Sequence, residues 1–311
     1  MTTSPGPEEL DRVVQRLDPG ARLLGSRVVQ GGTSAQVVAL DVRRSDGADT
    51  RLILRRYGDF ALRQDPLIAE HEFRLLRLVH TAGVPTPLPH GFDQTGTILG
   101  RPYIVMDYVD GAPEFAPADL DALIRQLAAQ LAAIHGLDLG TPDLGFLPRI
   151  DDLVAALLRR RPAALDDSLD EGRLREALER HWPPGQRNPS VLLHGDLWPG
   201  NVLFRDGRLA AVIDWEDAAL GDPLADLANS RLEVLWAYGS AAMEAFTARY
   251  RSLRPIDVGN LACWELWAAL RPAGHLAEYA EGNPGREAAM RAAHHAFVAR
   301  ALTARSERSS S

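Results

Sequence analysis

One stretch of this sequence is dense in residues that could do chemistry. It reads His194-Gly195-Asp196-Leu197-Trp198-Pro199-Gly200-Asn201, followed by Ile213-Asp214-Trp215-Glu216-Asp217. Asp196 and Asn201 stand five residues apart, and Asp214 follows Asn201 by thirteen. Between them, Asn201–Phe204 and Leu209–Ile213 read as short strands joined by Asp206-Gly207, a dipeptide favoured in type I′ hairpin turns. A tight hairpin returns the chain to where it began, so this spacing predicts that Asp214 comes back beside Asn201 and that the three polar side chains converge. Asn201 and Asp214 would then offer hard oxygen ligands suited to a magnesium ion carrying nucleotide phosphates. Asp196 is left to accept a proton from an attacking hydroxyl. Phosphoryl transfer asks for little else: positioned oxygens, neutralised charge and a residue that orients the nucleophile. A bland polar turn would have to produce three residue types, two spacings and a hairpin together by chance.

The composition bounds this chemistry. The chain has 311 residues with 46% hydrophobic and 24% charged, ordinary for a folded globular protein. It contains no lysine, so all 34 basic side chains counted with lysine are arginine, and Schiff-base chemistry on a lysine amine is excluded. A net charge of −8 argues against a general nucleic-acid binder. Cys263 is the single cysteine, so no intramolecular disulfide forms, as expected in a reducing compartment. The stretch Met1–Leu10 lacks a basic segment followed by an apolar one, and no apolar run approaches membrane length. The expectation is a cytoplasmic protein with no membrane partner.

The elements that must carry the site fall into two textures. The first hundred residues read as strands at Ala21–Gln30, Gln36–Val42, Arg51–Tyr57, Leu88–Phe92 and Pro102–Val109, with one helix from Pro66 to Thr81. Alternation in Arg51–Tyr57 puts Ile53, Arg55 and Tyr57 on one face and Leu52, Leu54 and Arg56 on the other. Beyond Asp110-Gly111 the chain turns helical. Leu120, Leu123, Ile124, Leu127, Leu131 and Ile134 form an apolar stripe at helical spacing, and further helices fill Pro223 to Ala304. The polar tail is expected to be disordered.

The His194–Asn201 and Ile213–Asp217 stretches resemble the catalytic island of the aminoglycoside phosphotransferase family, small-molecule relatives of the protein kinases, whose catalytic loop also sets its base and its asparagine five apart. Gly195 stands where protein kinases have arginine, as in the small-molecule branch. The resemblance covers most of the chain. Gly31-Gly32-Thr33-Ser34 resembles the nucleotide loop, with Gly32 and Ser34 toward the phosphates. Leu52-Ile53-Leu54-Arg55 resembles the strand of the phosphate-contacting lysine, here replaced by Arg55, whose planar fork is not equivalent to an ammonium. Glu70 resembles that cation's acidic partner. Leu99–Gly111 resembles the strand and hinge that receive the purine, through the backbone of Asp107, Tyr108 and Val109. Gly221-Asp222-Pro223 with Asp226-Leu227-Ala228 resembles the segment after the metal site.

The resemblance implies an α+β, bilobal, protein-kinase-like fold: a small β-rich N-lobe over 1–105, a hinge at 106–111, a larger, mainly helical C-lobe over 112–303 and a disordered tail at 304–311. It implies transfer of the γ-phosphoryl of ATP or GTP, with Mg2+, to a hydroxyl of a small molecule such as an aminoglycoside-like, amino-alcohol or sugar acceptor. Asp196 is the catalytic base, Asn201 and Asp214 the metal ligands, and nucleotide binds in the cleft between lobes. Trp198, Glu216 and Asp217 are candidates to face the acceptor, and the acidic residues favour a cationic one. The alternatives are a macrolide-type phosphotransferase and a nucleotide-binding pseudokinase without turnover. Calcineurin-like phosphoesterases are set aside because Val202, not histidine, follows Asn201. His194 is read as holding the catalytic loop, His135 as packed, Asp222 and Asp226 as helix caps or pins, and Cys263 with most tryptophans as core. Oligomeric state stays open.

Overall fold

The computed structural model describes residues 4–29, 35–138, 144–185 and 187–309. The loop residues Gly31, Gly32, Thr33 and Ser34 lie outside them. The chain divides into two compact units, Met1–Gly111 with Ala210–Glu216, and Ala112–Leu209 with Asp217–Ser311.

The first unit is built on a five-stranded antiparallel sheet in the order β1-β2-β3-β5-β4. The strands are β1 (Arg22–Val29), β2 (Ala35–Arg43), β3 (Asp49–Tyr57), β4 (Pro89–Asp93) and β5 (Tyr103–Asp107). Central β3 pairs Arg55 with Val37 on one side and Ile104 on the other. Its two faces separate as alternation requires. Leu52 and Leu54 join Val38, Leu40, Val42, Tyr103 and Val105 in one core, while Arg55 and Tyr57 face the other way.

That core is capped by a helix the sequence pattern did not single out, α1 (Pro7–Leu17). Leu10, Val13 and Val14 are buried in it, with Leu17 packed beside them, an i, i+3, i+4, i+7 stripe. Its start is specified locally. Pro7 occupies the first turn, Glu8 and Glu9 suit the helix dipole, and Glu9 Oε2 accepts the Gly6 N–H at 2.8 Å. The helix expected from Pro66 begins at Ile68 as α3 (Ile68–Thr81), preceded by the short α2 (Asp59–Gln64).

The second unit is mainly helical: α4 (Leu120–His135), α5 (Ile150–Arg159), α6 (Glu171–Glu179), α7 (Leu224–Tyr238), α8 (Ser240–Leu253), α9 (Leu261–Leu270), α10 (Leu276–Tyr279) and α11 (Pro284–Ser309). Helix α7 packs on α8 and α9, and α9 also on α6 and α11. Ala262 to Leu270 are all buried, so α9 is the central helix, as its nearly unbroken apolar sequence dictates. Its one charged residue, Glu265, meets buried Arg231 at 2.9 Å. Cys263 is fully buried, and burial pushes its thiol up to about 11. Helix α11 runs to Ser309, where the polar composition predicted disorder. No proline or glycine interrupts 286–309, so the helix has no stop signal there.

Two short ribbons complete the chain. One pairs β6 (Val191–Leu193) with β9 (Ala219–Gly221), the other β7 (Val202–Arg205) with β8 (Arg208–Val212). The turn between β7 and β8 has Asp206 at φ 52° and Gly207 at φ 72°, the double left-handed geometry of a type I′ turn. Among the described residues, no helix is long and apolar enough to cross a membrane.

Candidate active site

In the second unit, β6 delivers the chain into the loop His194–Asn201. The backbone N–H groups of His194 and Gly195 donate to the two carboxylate oxygens of Asp226 on α7, at 2.7 and 2.9 Å. Asp226 is buried, and its Oδ2 also lies 3.1 Å from His135 Nε2, whose Nδ1 meets the Tyr250 hydroxyl at 2.7 Å. Burial alone would raise the Asp226 carboxyl. The His135 hydrogen bond and charge, with His194, outweigh it and hold the group below the usual range. Asp226 therefore pins a loop, not only a helix, whereas Asp222 caps α7 through the Leu224 N–H at 3.0 Å.

Gly195 sits at φ +83°, and a Cβ there would lie 2.0 Å from the Asp217 carbonyl oxygen. Only glycine fits, which is the local reason the loop can pass so close to Asp217. His194 Nδ1 accepts the Asp196 N–H at 3.2 Å, the loop-holding role expected of it.

The Asp196 carboxylate is surrounded by donors. Asn201 Nδ2 donates to its Oδ2 at 3.1 Å and to its backbone carbonyl at 2.9 Å. Asn229 Nδ2, from α7, donates to Oδ1 at 3.4 Å, and Arg271 Nη2 lies 3.5 Å from the same oxygen. Arg271 also donates from Nη1 to the Gly195 carbonyl at 2.8 Å and pairs with Asp217 Oδ2 at 3.1 Å. Ser230 Oγ donates to the Leu197 carbonyl at 2.7 Å. One stripe of α7 (Asp226, Asn229, Ser230, Glu233) thus reads against the loop. Glu233 is half-buried, and burial, reinforced by the charge of Asp196, pushes its carboxyl up to about 8. Trp198 packs its ring against exposed Phe115, with centroids 6.0 Å apart.

In the first unit, Arg55 is buried at 8% exposure and meets three carboxylates. These are Glu72 Oε1 at 3.2 Å, Asp214 Oδ1 at 2.9 Å and Glu216 Oε2 at 2.6 Å. Desolvation would lower its pKa, but Glu72, Asp214, Tyr57 and Glu216 together raise it well above the ordinary value. Tyr57, fully buried beside it, donates its hydroxyl to Glu72 Oε2 at 2.5 Å.

Glu70 is not the partner of Arg55. It is half-buried, and its side chain, 41% exposed, lies 3.9 Å from Arg74. Two residues along a helix is a rotation of about 200°, so Glu70 and Glu72 lie on nearly opposite faces. The buried stripe of α3 is Ile68, Glu72, Leu75, Leu76 and Val79. A carboxylate on that stripe was the signal available in the sequence.

Glu216, a candidate to face the acceptor, is instead bonded to Arg55. Asp214 and Glu216 reach the same guanidinium, while the Trp215 ring between them is buried. Asp217 instead accompanies Asp196 and Arg271.

Asp107 pairs with His90 at 2.6 Å, and that hydrogen bond holds its carboxyl below the usual range. The Asp107 and Tyr108 N–H groups donate to the Leu88 and Arg51 carbonyls at 2.9 and 3.2 Å, and Arg51 lies over the Tyr108 ring at 5.0 Å. Val109 follows them directly in the chain.

Asn201 belongs to the second unit and Asp214 to the first. Asn201 spends its amide nitrogen on Asp196, which turns its amide oxygen the other way. Asp214 holds φ 64°, a sparsely populated backbone region. Its Oδ1, although 2.9 Å from Arg55 Nη2, is buried with no hydrogen-bond partner among the described residues. Hard oxygens of this kind fit magnesium, which keeps most of its shell for water and phosphate. Among the described residues, no cluster of three or more His, Cys, Asp or Glu suggests an all-protein metal cage.

A family model described as "Phosphotransferase enzyme family" (APH) matches residues 26–272. Acyl-CoA dehydrogenase family member 10 of Mus musculus is 30% identical over 199 residues, covering 60% of this chain and 18% of that protein. The chain therefore spans under a fifth of that relative's length. Among solved structures, a macrolide 2′-phosphotransferase type I superposes with TM-score 0.64 at 20% identity, covering 94% of this chain and 98% of that one. A thermostable variant of aminoglycoside phosphotransferase APH(4)-Ia, in ternary complex with ADP and hygromycin B, gives TM-score 0.62 at 18% identity, again over 94% and 98%.

Proposed function

The chain belongs to the phosphotransferase enzyme family, and from that premise we propose that it moves the γ-phosphoryl of a purine nucleoside triphosphate to a hydroxyl of a small molecule. The observation that carries this is the Asp196 carboxylate. It stands on a loop pinned by Asp226, within reach of Asn201, Asn229 and Arg271, and remains partly exposed to receive a hydroxyl.

In the proposed reaction Asp196 accepts a hydrogen bond from the acceptor hydroxyl and aims its oxygen at the γ-phosphorus. The new P–O bond forms as the bond to the bridging oxygen breaks. The hydroxyl proton passes to Asp196, and the nucleoside diphosphate leaves. Because the transition state is loose, proton transfer comes late and orientation is the main contribution of Asp196. Asn201 and Asp214 are the residues that would hold magnesium, which when bound supplies neutralisation of phosphate charge. Arg55 is the fixed cation of the first unit. With three carboxylates already on it, it anchors Glu72, Asp214 and Glu216 as well as presenting positive charge to phosphate. The purine is expected at Asp107–Val109. Two amides there are committed to the sheet, so its contacts fall to the remaining backbone groups.

Asp196 and Asp217 share Arg271, while the Glu233 carboxyl, raised to about 8, is mainly neutral at pH 7. That balance supports an acceptor bearing a positive charge. The Trp198–Phe115 pair offers an apolar wall for a larger one, which keeps a macrolide-type acceptor as the second reading. Retention of Asp196, Asn201 and Asp214 together supports turnover rather than a nucleotide-binding module. The test is a panel of hydroxyl-bearing amines, sugars and macrolides with γ-labelled ATP and GTP and magnesium. Label transfer that disappears in Asp196→Asn supports the proposal. No transfer to any acceptor and no nucleotide hydrolysis would reject it.

A further inference from the structure

Arg271 follows α9 directly and lies 75 residues from Asp196 in sequence. Its guanidinium lies over the Trp267 ring, 5.4 Å from the centroid and one helical turn back. From there it reaches three acceptors on the catalytic loop and beside it: the Gly195 carbonyl at 2.8 Å, Asp217 Oδ2 at 3.1 Å and Asp196 Oδ1 at 3.5 Å. The N–H of Gly195 is already held by Asp226 at 2.9 Å. Gly195 is therefore gripped from both ends, its amide from α7 and its carbonyl from the end of α9. The carbonyl belongs to the peptide plane that leads into Asp196, so fixing it fixes the direction in which the Asp196 side chain leaves the backbone.

We propose that Arg271 is a positioning residue for Asp196, setting both the peptide and the carboxylate in the orientation an acceptor hydroxyl requires, with Asp217 as its own anchor. The proposal rests on Asp196 being the residue that orients the nucleophile. A rigid planar fork suits the task. One nitrogen takes the carbonyl and the other sits between two carboxylates, whereas an ammonium presents a point charge that cannot span all three. The Trp267 ring face beneath it adds a cation–π contact that helps to hold the guanidinium in place. Asp226 holds the amides of His194 and Gly195, and Arg271 adds the hold on the Gly195 carbonyl.

The experiment measures magnesium-ATP hydrolysis, with water as acceptor, in wild type, Arg271→Gln, Arg271→Lys and Arg271→Gly. An error of about 1 Å in a catalytic group costs on the order of 100-fold. The expected result for Arg271→Gln is therefore a kcat loss of about 10- to 100-fold with the KM for ATP within about twofold of wild type. Arg271→Lys recovers part of the loss, and millimolar guanidinium restores part of the kcat of Arg271→Gly. A kcat within about twofold of wild type in Arg271→Gln overturns the proposal, as does a loss shared equally by KM and melting temperature that guanidinium does not relieve. A crystal structure of Arg271→Gln tests the role independently of turnover. A reoriented Asp196 carboxylate supports the proposal even where wild type does not use water as acceptor, and label transfer to the acceptor panel then tests the phosphotransfer reading separately. An unmoved Asp196 rejects the role of Arg271.

Discussion

Replacing Glu72 and Glu70 separately with alanine distinguishes a buried carboxylate from a half-exposed one two residues away. Glu72 is 6% exposed and accepts from Arg55 Nη1 at 3.2 Å and from the Tyr57 hydroxyl at 2.5 Å. Glu72→Ala strips one carboxylate from a buried arginine and leaves a buried phenol without its acceptor. Removing one partner of a buried ion pair costs about 3–5 kcal/mol. Arg55 keeps Asp214 and Glu216, which places the ion-pair loss at the lower end, and the Tyr57 hydroxyl adds about 1–2 kcal/mol. A destabilisation of about 4 kcal/mol is expected. Among the described residues the Glu70 carboxylate pairs with Arg74 at 3.9 Å, with both side chains about 40% exposed, and Glu70→Ala should change stability by no more than about 0.5 kcal/mol. Urea unfolding followed by tryptophan fluorescence measures both. At about 2.1 cal/mol/K per residue, 4 kcal/mol corresponds to a melting point about 6 °C lower if the chain unfolds in one transition. Equal losses in the two variants, or the larger loss in Glu70→Ala, would refute the assignment of Glu72 as the partner of Arg55.

Asp196→Asn should lower turnover at least about 1,000-fold while nucleotide affinity by calorimetry stays within about threefold; turnover within about tenfold of wild type would remove Asp196 from its role. Asp214→Ala should abolish the magnesium dependence of nucleotide binding, and an unchanged calorimetric titration would remove Asp214 from the metal site. The Glu233 carboxyl is raised to about 8 by burial and by Asp196. A carboxyl raised on folding favours the native state fully below its unfolded value, and that contribution is lost as pH rises from about 4.5 through about 8. Stability measured at pH 5 and pH 9 should therefore fall in wild type, and fall less in Glu233→Gln; parallel declines would contradict this.

The candidate site at 194–217 was legible because its information is local. Asp206-Gly207 imposes a turn on its own backbone, Gly195 admits a close approach that no other residue allows, and the spacing of Asp196, Asn201 and Asp214 is a property of adjoining chain. The strands of the first unit were legible for the same reason, since alternation records which face of β3 is buried. Helix α1 was recorded there too, in Gly6-Pro7-Glu8-Glu9 and the stripe from Leu10, but was masked by the acidic, proline-bearing start. Glu72 stood on the apolar stripe of α3, yet choosing it over Glu70 required the phase of a helix whose first turn was displaced from Pro66 to Ile68. Nothing local marked Arg271, Asn229 or Glu233. Their neighbourhood depends on α7 and the end of α9 packing against a loop 30 or more residues away in sequence. The sequence by itself determined the chemical groups and the turns that present them. The tertiary structure alone decided which charges neutralise one another, because electrostatic partners are set by distance in the packed core and not by separation along the chain.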